Sequence, residues 1–408
     1  MKRSTWHLRV GAIVAAWLVA LLTASLIGVF RPVTPWLLVH LLLLGAVSNA
    51  ILIWSRHFAD ALLRLPEDDT RRGQAVRLAL FNAGALSVVA GMVGDIQAAV
   101  AVGATVVALV AGWHAAVLLM RMRRGLPSRL GSTLRYYVAA AALLPVGVAF
   151  GVAMAADTLS ETAHAQLALA HVVVNLLGWM GLTVVGTLVT LWPTMLHTRV
   201  ADGAERAARR ALPVLLTGLV VSATGALAGN RLAAAAGLLT YLAGLAMVGG
   251  PLIAETRTRP PTTYATRSMF AAQCWFIGSV AALAAIVVSA PSWEQAAEAA
   301  DRLAAPFLIG FAVQVLLGAL SYLVPVVLGG GPTVTRATNA ALDTAGTARL
   351  AAINVGLVTA SLPVPDFART VAALVVLAGL AGFLSMLLRA VLIEQSMTQT
   401  NAETLRRP

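Results

Sequence analysis

Two histidines lie inside apolar runs that are long enough to cross a membrane. His40 lies near the start of the run 34–54, and His171 lies at a similar distance from the start of the run 165–192. At ~1.5 Å per residue, both imidazoles lie about 8–10 Å from the outer ends of their helices. Neutral imidazole can ligate haem iron or copper without burying a charge. The equal depth therefore predicts that the two histidines share a haem b or copper site.

Three further polar side chains are candidates for the same chemistry. Asn175 follows His171 by one helical turn and is expected to orient its imidazole. Gln314 lies at nearly the level of His40 in the run 304–328 and is the third candidate for the cofactor site. His114, beside Trp113, is a further candidate metal ligand nearer the other membrane surface. The alternative for all of them is hydrogen bonding between helices, which is the commoner role of polar side chains in a membrane.

About twelve apolar runs must position these residues, and each approaches the ~20 residues that cross a bilayer core. They lie near residues 10–30, 34–54, 75–95, 97–120, 136–156, 165–192, 211–230, 232–254, 268–290, 304–328, 348–364 and 367–393. Hydrophobic residues make up 59% of the chain and charged residues 11%, whereas soluble domains have about 45–50% and about 25%. The sequence predicts an all-α polytopic membrane protein in which 1–408 form a single integral membrane domain.

The basic residues indicate the orientation of the chain. The termini and alternate connections contain 25 of the 29 basic residues, and only Arg31, Arg231, Arg302 and Arg369 lie on the other side. Because positive residues remain in the cytoplasm, both termini are predicted to be cytoplasmic. We therefore expect a multi-pass protein of the plasma membrane.

The charge pattern excludes some partners and disfavours one mechanism. The net charge of +12 comes from short connections without a basic face interleaved with aromatic residues, so nucleic acid is not an expected partner. The expected partner is the lipid bilayer with its anionic head groups. All 17 acidic residues lie in loops or at the ends of the runs. Ion-coupled transport usually needs a carboxylate near the middle of the membrane, so this mechanism is disfavoured.

A weak internal repeat has a period of four runs. Leu-Leu-Gly occurs at Gly45, Gly178 and Gly318, in the second, sixth and tenth runs. The pattern predicts a pseudo-threefold arrangement of four-helix units, with these glycines at close helix contacts. Functional sites in such repeats often lie where the units meet.

Longer segments of the same runs resemble a known family. The segments are 39–58, from Val-His through Trp-Ser-Arg-His-Phe, 170–195, from Ala-His to Trp-Pro-Thr-Met, and 316–331, from Leu-Leu-Gly to the triple glycine. They are similar to the membrane part of actinobacterial copper-oxidase or nitrite-reductase-like proteins, which distantly resembles haem-copper oxidase subunit I. The resemblance covers the whole chain and implies a twelve-helix fold with a haem or copper site.

The chain departs from this family in two ways. The soluble copper domains of longer members are missing, so no multicopper chemistry is expected. Haem-copper oxidases also have paired histidines after the sixth helix, whereas no histidine follows His197 here. The resemblance therefore does not support oxygen or nitric oxide reduction, and whether the chain is an enzyme stays open.

Three functions remain at this point. The first is electron transfer or metal handling, linked to respiration or nitrogen-oxide metabolism, by a haem or copper bound at His40 and His171. The second is a small-molecule or metal permease whose histidines line a path. The third is a cofactor-free membrane partner of a periplasmic copper protein. The oligomeric state is left open.

Overall fold

The structure is a computed structural model that describes residues 3–64, 71–125, 131–156 and 158–404. These ranges contain helices and no strand, which confirms the predicted all-α polytopic membrane fold. The helices are α1 (Arg3–Phe30), α2 (Pro35–Leu63), α3 (Arg71–Val93), α4 (Gln97–Arg124), α5 (Ser132–Ala155), α6 (Glu161–Met195), α7 (Ala204–Leu227), α8 (Arg231–Thr258), α9 (Tyr264–Ser289), α10 (Trp293–Asp301), α11 (Pro306–Leu328), α12 (Pro332–Asp343), α13 (Gly346–Ser361) and α14 (Asp366–Thr404).

Among the described residues, eleven helices are long and apolar enough to cross a membrane. They correspond to eleven of the about twelve predicted runs. The remaining run, 348–364, forms α13, which has only 16 residues. At ~1.5 Å per residue this helix is about 24 Å long, which is shorter than a bilayer core of ~30 Å.

Two short helices occur where the sequence analysis predicted only connections. In α10, the hydroxyl of Ser292 caps the first turn by accepting from the backbone N–H of Gln295. The hydroxyls of Thr162, at the start of α6, and Ser292 hydrogen-bond to the neighbouring Glu294 and lower the pKa of this carboxyl to about 2. The second helix, α12, begins with Pro332 in its first turn, where proline removes no helical hydrogen bond.

The contacts divide the chain into two compact units. The first unit comprises Met1–Val47, Pro261–Phe276 and Ala304–Pro408, and the second comprises Ser48–Pro260 and Ile277–Leu303. Long apolar helices build both of them, so neither is a separate soluble domain. The predicted repeat groups the helices differently, as a first group (α1–α4), a middle group (α5–α8) and a last group (α9, α11, α13 and α14).

The second membrane helix of each group contains a wide π-helical segment. These segments are Leu41–Val47 in α2, Val173–Gly181 in α6 and Pro306–Val313 in α11. A π-helical turn departs from the regular hydrogen-bond pattern of an α-helix and often lies at a functional site. Its recurrence every fourth membrane helix supports the internal repeat.

Glycines of the repeat lie at close helix contacts, as predicted. A Cβ atom added to Gly45 would come within 2.4 Å of Trp17, one at Gly178 within 2.9 Å of Leu143, and one at Gly318 3.0 Å from the carbonyl oxygen of Ala265. The register of the π segments, however, pairs Gly45 with Gly310, which packs against a tryptophan of α9 in the same way. The arrangement of the three groups around one axis remains a prediction.

Candidate functional site

His171 lies in a notch on the neighbouring helix α5. Gly147 and Gly151, one helical turn apart, form the notch, because glycine lets another helix approach the backbone closely. A Cβ atom on Gly151 would lie 3.1 Å from Cε1 of His171. The Nδ1 atom of the imidazole is 2.8 Å from the carbonyl oxygen of Gly147. A carbonyl can only accept, so Nδ1 carries the proton and Nε2 carries the lone pair.

Asn175 packs over the same imidazole, one turn further along α6. Its Nδ2 lies 3.2 Å from Nδ1 and 3.3 Å from Nε2 of His171. An atom almost equidistant from both ring nitrogens lies over the ring face and away from either lone-pair axis. The Oδ1 atom of Asn175 is buried without a hydrogen-bond partner among the described residues. Asn175 therefore restrains the ring, while the carbonyl of Gly147 fixes its tautomer.

His40 has the same tautomer, which it reaches through its own helix. Its Nδ1 lies 2.8 Å from the carbonyl oxygen of Trp36, one turn earlier in α2. The imidazole also stacks on the indole of Trp36, with 4.1 Å between ring centroids and 20° between planes. The carbonyl again takes the Nδ1 proton, so Nε2 has the lone pair.

Both histidines lie just before a π-helical segment. His40 immediately precedes Leu41–Val47, and His171 lies two residues before Val173–Gly181. His40 belongs to the first compact unit and His171 to the second. The sharing of one group between them therefore stays a prediction. Within the described ranges, no three His, Cys, Asp or Glu side chains are grouped so that they could hold a metal ion.

Gln314 is engaged in hydrogen bonds between helices. Its Nε2 donates to Oδ1 of Asn354 at 3.1 Å and to the carbonyl of Gly310 at 3.0 Å. The amide of Asn354 donates back to Oε1 of Gln314 at 3.0 Å. This reciprocal pair joins α11 to α13, with Gln314 fully buried. The amide is therefore occupied by structural partners, and Gln314 does not enter our proposal for the cofactor site.

His114 is buried near two arginines. Its Nε2 lies 2.9 Å from the hydroxyl oxygen of Ser55, which itself donates to the carbonyl of Ile51 at 2.6 Å. Since the Ser55 hydrogen is already used, His114 is the donor in this contact. The charges of Arg56 and Arg77 act on the imidazole. A metal cation would be repelled there, so His114 is also absent from our proposal.

No protein-family model matches the chain, and no curated protein matches it significantly. The family resemblance seen in the sequence thus remains a prediction.

A short motif occurs twice in the sequence. The segments Arg77-Leu-Ala-Leu-Phe-Asn82 and Arg349-Leu-Ala-Ala-Ile-Asn354 share four of their six residues and lie in the first halves of α3 and α13. Asn82 forms a reciprocal amide pair with Asn49 of α2, at 3.0 and 2.8 Å. It therefore repeats in the first group what Asn354 does in the last.

Proposed function

We propose that this multi-pass helical membrane protein holds a haem b or a copper ion through Nε2 of His40 and of His171. The observation that carries the proposal is the shared tautomer, since both imidazoles use Nδ1–H on a backbone carbonyl. Histidines that bind metals usually donate their other ring N–H in this way, which fixes the ring and makes the ligating nitrogen more basic. The bound group would supply one-electron chemistry for electron transfer or for metal handling.

The surroundings of His171 fit a ligand that must be held rigidly. The glycine notch, the carbonyl of Gly147 and the amide of Asn175 restrain the ring from different directions. A side chain that only joins two helices would need just one of these contacts. The Oδ1 of Asn175 has no hydrogen-bond partner among the described residues, which costs free energy, and a role at a functional site is one explanation for such a buried polar group.

The protein's own contribution is to keep the two imidazoles neutral and oriented. Each backbone carbonyl holds the proton at Nδ1, so each Nε2 presents its lone pair without requiring a carboxylate in the membrane. Stacking of His40 on Trp36 restricts rotation of that ring about its side-chain bonds. The wide π segments that follow both histidines change the direction of the helix surface beside the site.

We further propose that the protein lies in the plasma membrane with both termini in the cytoplasm, as the distribution of basic residues predicts. The short helix α13 makes this orientation sharply testable. If α13 crosses the membrane, a reporter in the connection 362–365 should read periplasmic and one at the C-terminus cytoplasmic. The opposite pair of readings would mean that α13 does not cross and that the C-terminus is outside.

The visible absorption spectrum and the copper content of the purified protein test the cofactor proposal. We expect a reducible haem band or about one copper per chain, lost in both His40→Ala and His171→Ala. The matched control is His164→Ala, because His164 is an exposed histidine seven residues earlier on the same helix. A wild-type protein purified without haem or copper, or equal retention in all variants, would contradict the proposal.

A further inference from the structure

Three arginines and one aspartate meet at one end of the second unit. Arg56 lies near the end of α2, Arg77 near the start of α3 and Arg121 near the end of α4, and these ends face the same membrane surface. Asp60 forms ion pairs with Arg56, at 2.9 Å, and with Arg121. We call these four residues the arginine cluster.

Arg77 is the member that Asp60 does not engage directly. Its side chain is buried, and its residue is only 5% exposed. The Nη2 atom has no hydrogen-bond partner among the described residues. The guanidinium instead lies over the indole of Trp113, 5.3 Å from the ring centroid. A cation–π contact offsets only part of the cost of burying a charged group that could donate five hydrogen bonds.

The charges of the cluster do not balance. Among the residues that the structure describes, Arg56 and Arg121 repel Arg77, and Asp60 alone attracts it. His114 cannot supply a negative charge, and its Nε2–H already donates to Ser55. Burying unpaired charge is costly, so an anion at Arg77 would stabilise this end of the unit.

The position of the cluster indicates where that anion comes from. Arg77 is six residues into α3, or about 9 Å from its end at ~1.5 Å per residue. Basic side chains at this depth reach the head groups of the lipids. Trp113, the neighbour that covers Arg77, is itself 39% exposed on the outside of the helices. A lipid can therefore approach Arg77 from the side, past an indole typical of the membrane interface.

We propose that the arginine cluster is a phosphate-binding site, occupied by the phosphodiester of an anionic phospholipid, with Arg77 as its principal donor. Guanidinium binds phosphate through two parallel hydrogen bonds, and the Nη2 atom of Arg77, which has no hydrogen-bond partner among the described residues, is available for one of them. Inorganic phosphate has the same chemistry and is the alternative source.

The test is lipid binding to the full chain by native mass spectrometry, with phosphatidylglycerol and phosphatidylcholine offered in equal amounts. We expect retention of phosphatidylglycerol by the wild type, at least a tenfold loss in Arg77→Gln, and partial retention in Arg77→Lys. The matched control is Arg123→Gln, which removes the same charge from an exposed arginine on the same surface. Thermal stabilisation by inorganic phosphate, measured in phosphatidylcholine nanodiscs, distinguishes the soluble source from the lipid.

Three outcomes would overturn the proposal. Equal losses in Arg77→Gln and Arg123→Gln would show general attraction to basic loops and no built site. No preference of the wild type for phosphatidylglycerol, together with no effect of phosphate, would contradict it without any variant. Binding that appears only after Glu67, Asp68 and Asp69 are neutralised would show that the chain's own carboxylates fill the site.

Discussion

The buried polar side chains of the first and last four-helix groups have different hydrogen-bond partners from those of the middle group. In the two outer groups, amides pair reciprocally across the second and third helices, as Asn49 with Asn82 and Gln314 with Asn354. The Leu-Leu-Gly register, which pairs Gly45 with Gly178, places the fully buried Leu182 of the middle group at the position of Asn49. The middle group instead has His171 and Asn175, whose Oδ1 has no described partner.

This difference distinguishes polar side chains that join helices from polar side chains that could bind a ligand. A reciprocal amide pair satisfies its own donors and acceptors, so it can join helices but has little capacity left for a ligand. Asn175, whose Oδ1 has no hydrogen-bond partner among the described residues, retains such capacity next to the imidazole of His171. This contrast supports our proposal that α6 contributes a ligand to a cofactor site.

The largest expected loss of stability concerns glycines at which the third and fourth helices of a group pack closely. A Cβ atom on Gly103 of α4 would lie 2.6 Å from the carbonyl oxygen of Gly84, and one on Gly237 of α8 would lie 2.2 Å from the backbone nitrogen of Ser222. Each Gly→Ala substitution should lower the free energy of unfolding by about 1–3 kcal/mol, because backbone cannot yield as a side chain can. Thermal or denaturant unfolding in detergent measures this loss.

Each of these two helices provides its own control. Gly112 of α4 and Gly249 of α8 have open space where a Cβ atom would be placed. Their alanine variants should be neutral or slightly stabilised, since alanine favours the helix by up to ~1 kcal/mol. Similar losses of stability at all four glycines would contradict the claim that the first and middle groups depend on close helix packing at Gly103 and Gly237.

The next expected effect on stability compares an asparagine of a reciprocal amide pair with Asn175. Asn82→Leu should cost about 1–2 kcal/mol of stability, because it removes the two hydrogen bonds that the fully buried Asn49 makes with Asn82. Asn175→Leu should change stability by only about 0.5 kcal/mol or less, because half of that amide is already unsatisfied. The same unfolding measurement compares them. If Asn175→Leu were the more damaging variant, Asn175 would be a structural residue and the contrast would fail.

The smallest effect is the recovery of stability in a double variant. Asn49→Leu with Asn82→Leu removes both partners, so no buried amide remains unsatisfied and most of the single-variant loss should return. A double-mutant cycle should give a coupling of about 0.5–2 kcal/mol. Strict additivity of the two losses would show that the pair is not a unit.

The sequence predicted the helical membrane fold because apolar runs of this length leave few alternatives. The equal depth of His40 and His171 stays a prediction, because His40 lies five residues after the first residue of α2 and His171 ten residues after the first residue of α6. The sequence did not predict the π segments, because residues such as those of Leu41–Val47 fit a regular helix equally well. The sequence also did not predict the hydrogen-bond partner of His171. That partner is the backbone carbonyl of Gly147, and a glycine has no polar side chain that would indicate it.

Some features that were not predicted had a readable signal. The motif that ends at Asn354 also ends at Asn82, and each of these asparagines pairs with an amide of the preceding long helix. Recognising that repetition would have predicted the pair of Gln314 with Asn354, whereas a role of Gln314 at a cofactor stays a prediction. The helix α12 was likewise hidden because Gly329–Gly331 suggested only a break, whereas the segment after it starts with a proline suited to a helix N-terminus.

Pulsed electron paramagnetic resonance of the protein, labelled with ¹⁵N at histidine Nε2, tests the central claim most directly. If Nε2 of His40 and of His171 both bind the paramagnetic centre, the spectrum should show two coupled ¹⁵N nuclei, and His40→Ala and His171→Ala should each lose the bound centre and with it both couplings. His164→Ala should leave both couplings in place. A bound centre without coupling to histidine ¹⁵N, or couplings that survive both single substitutions, would contradict the account.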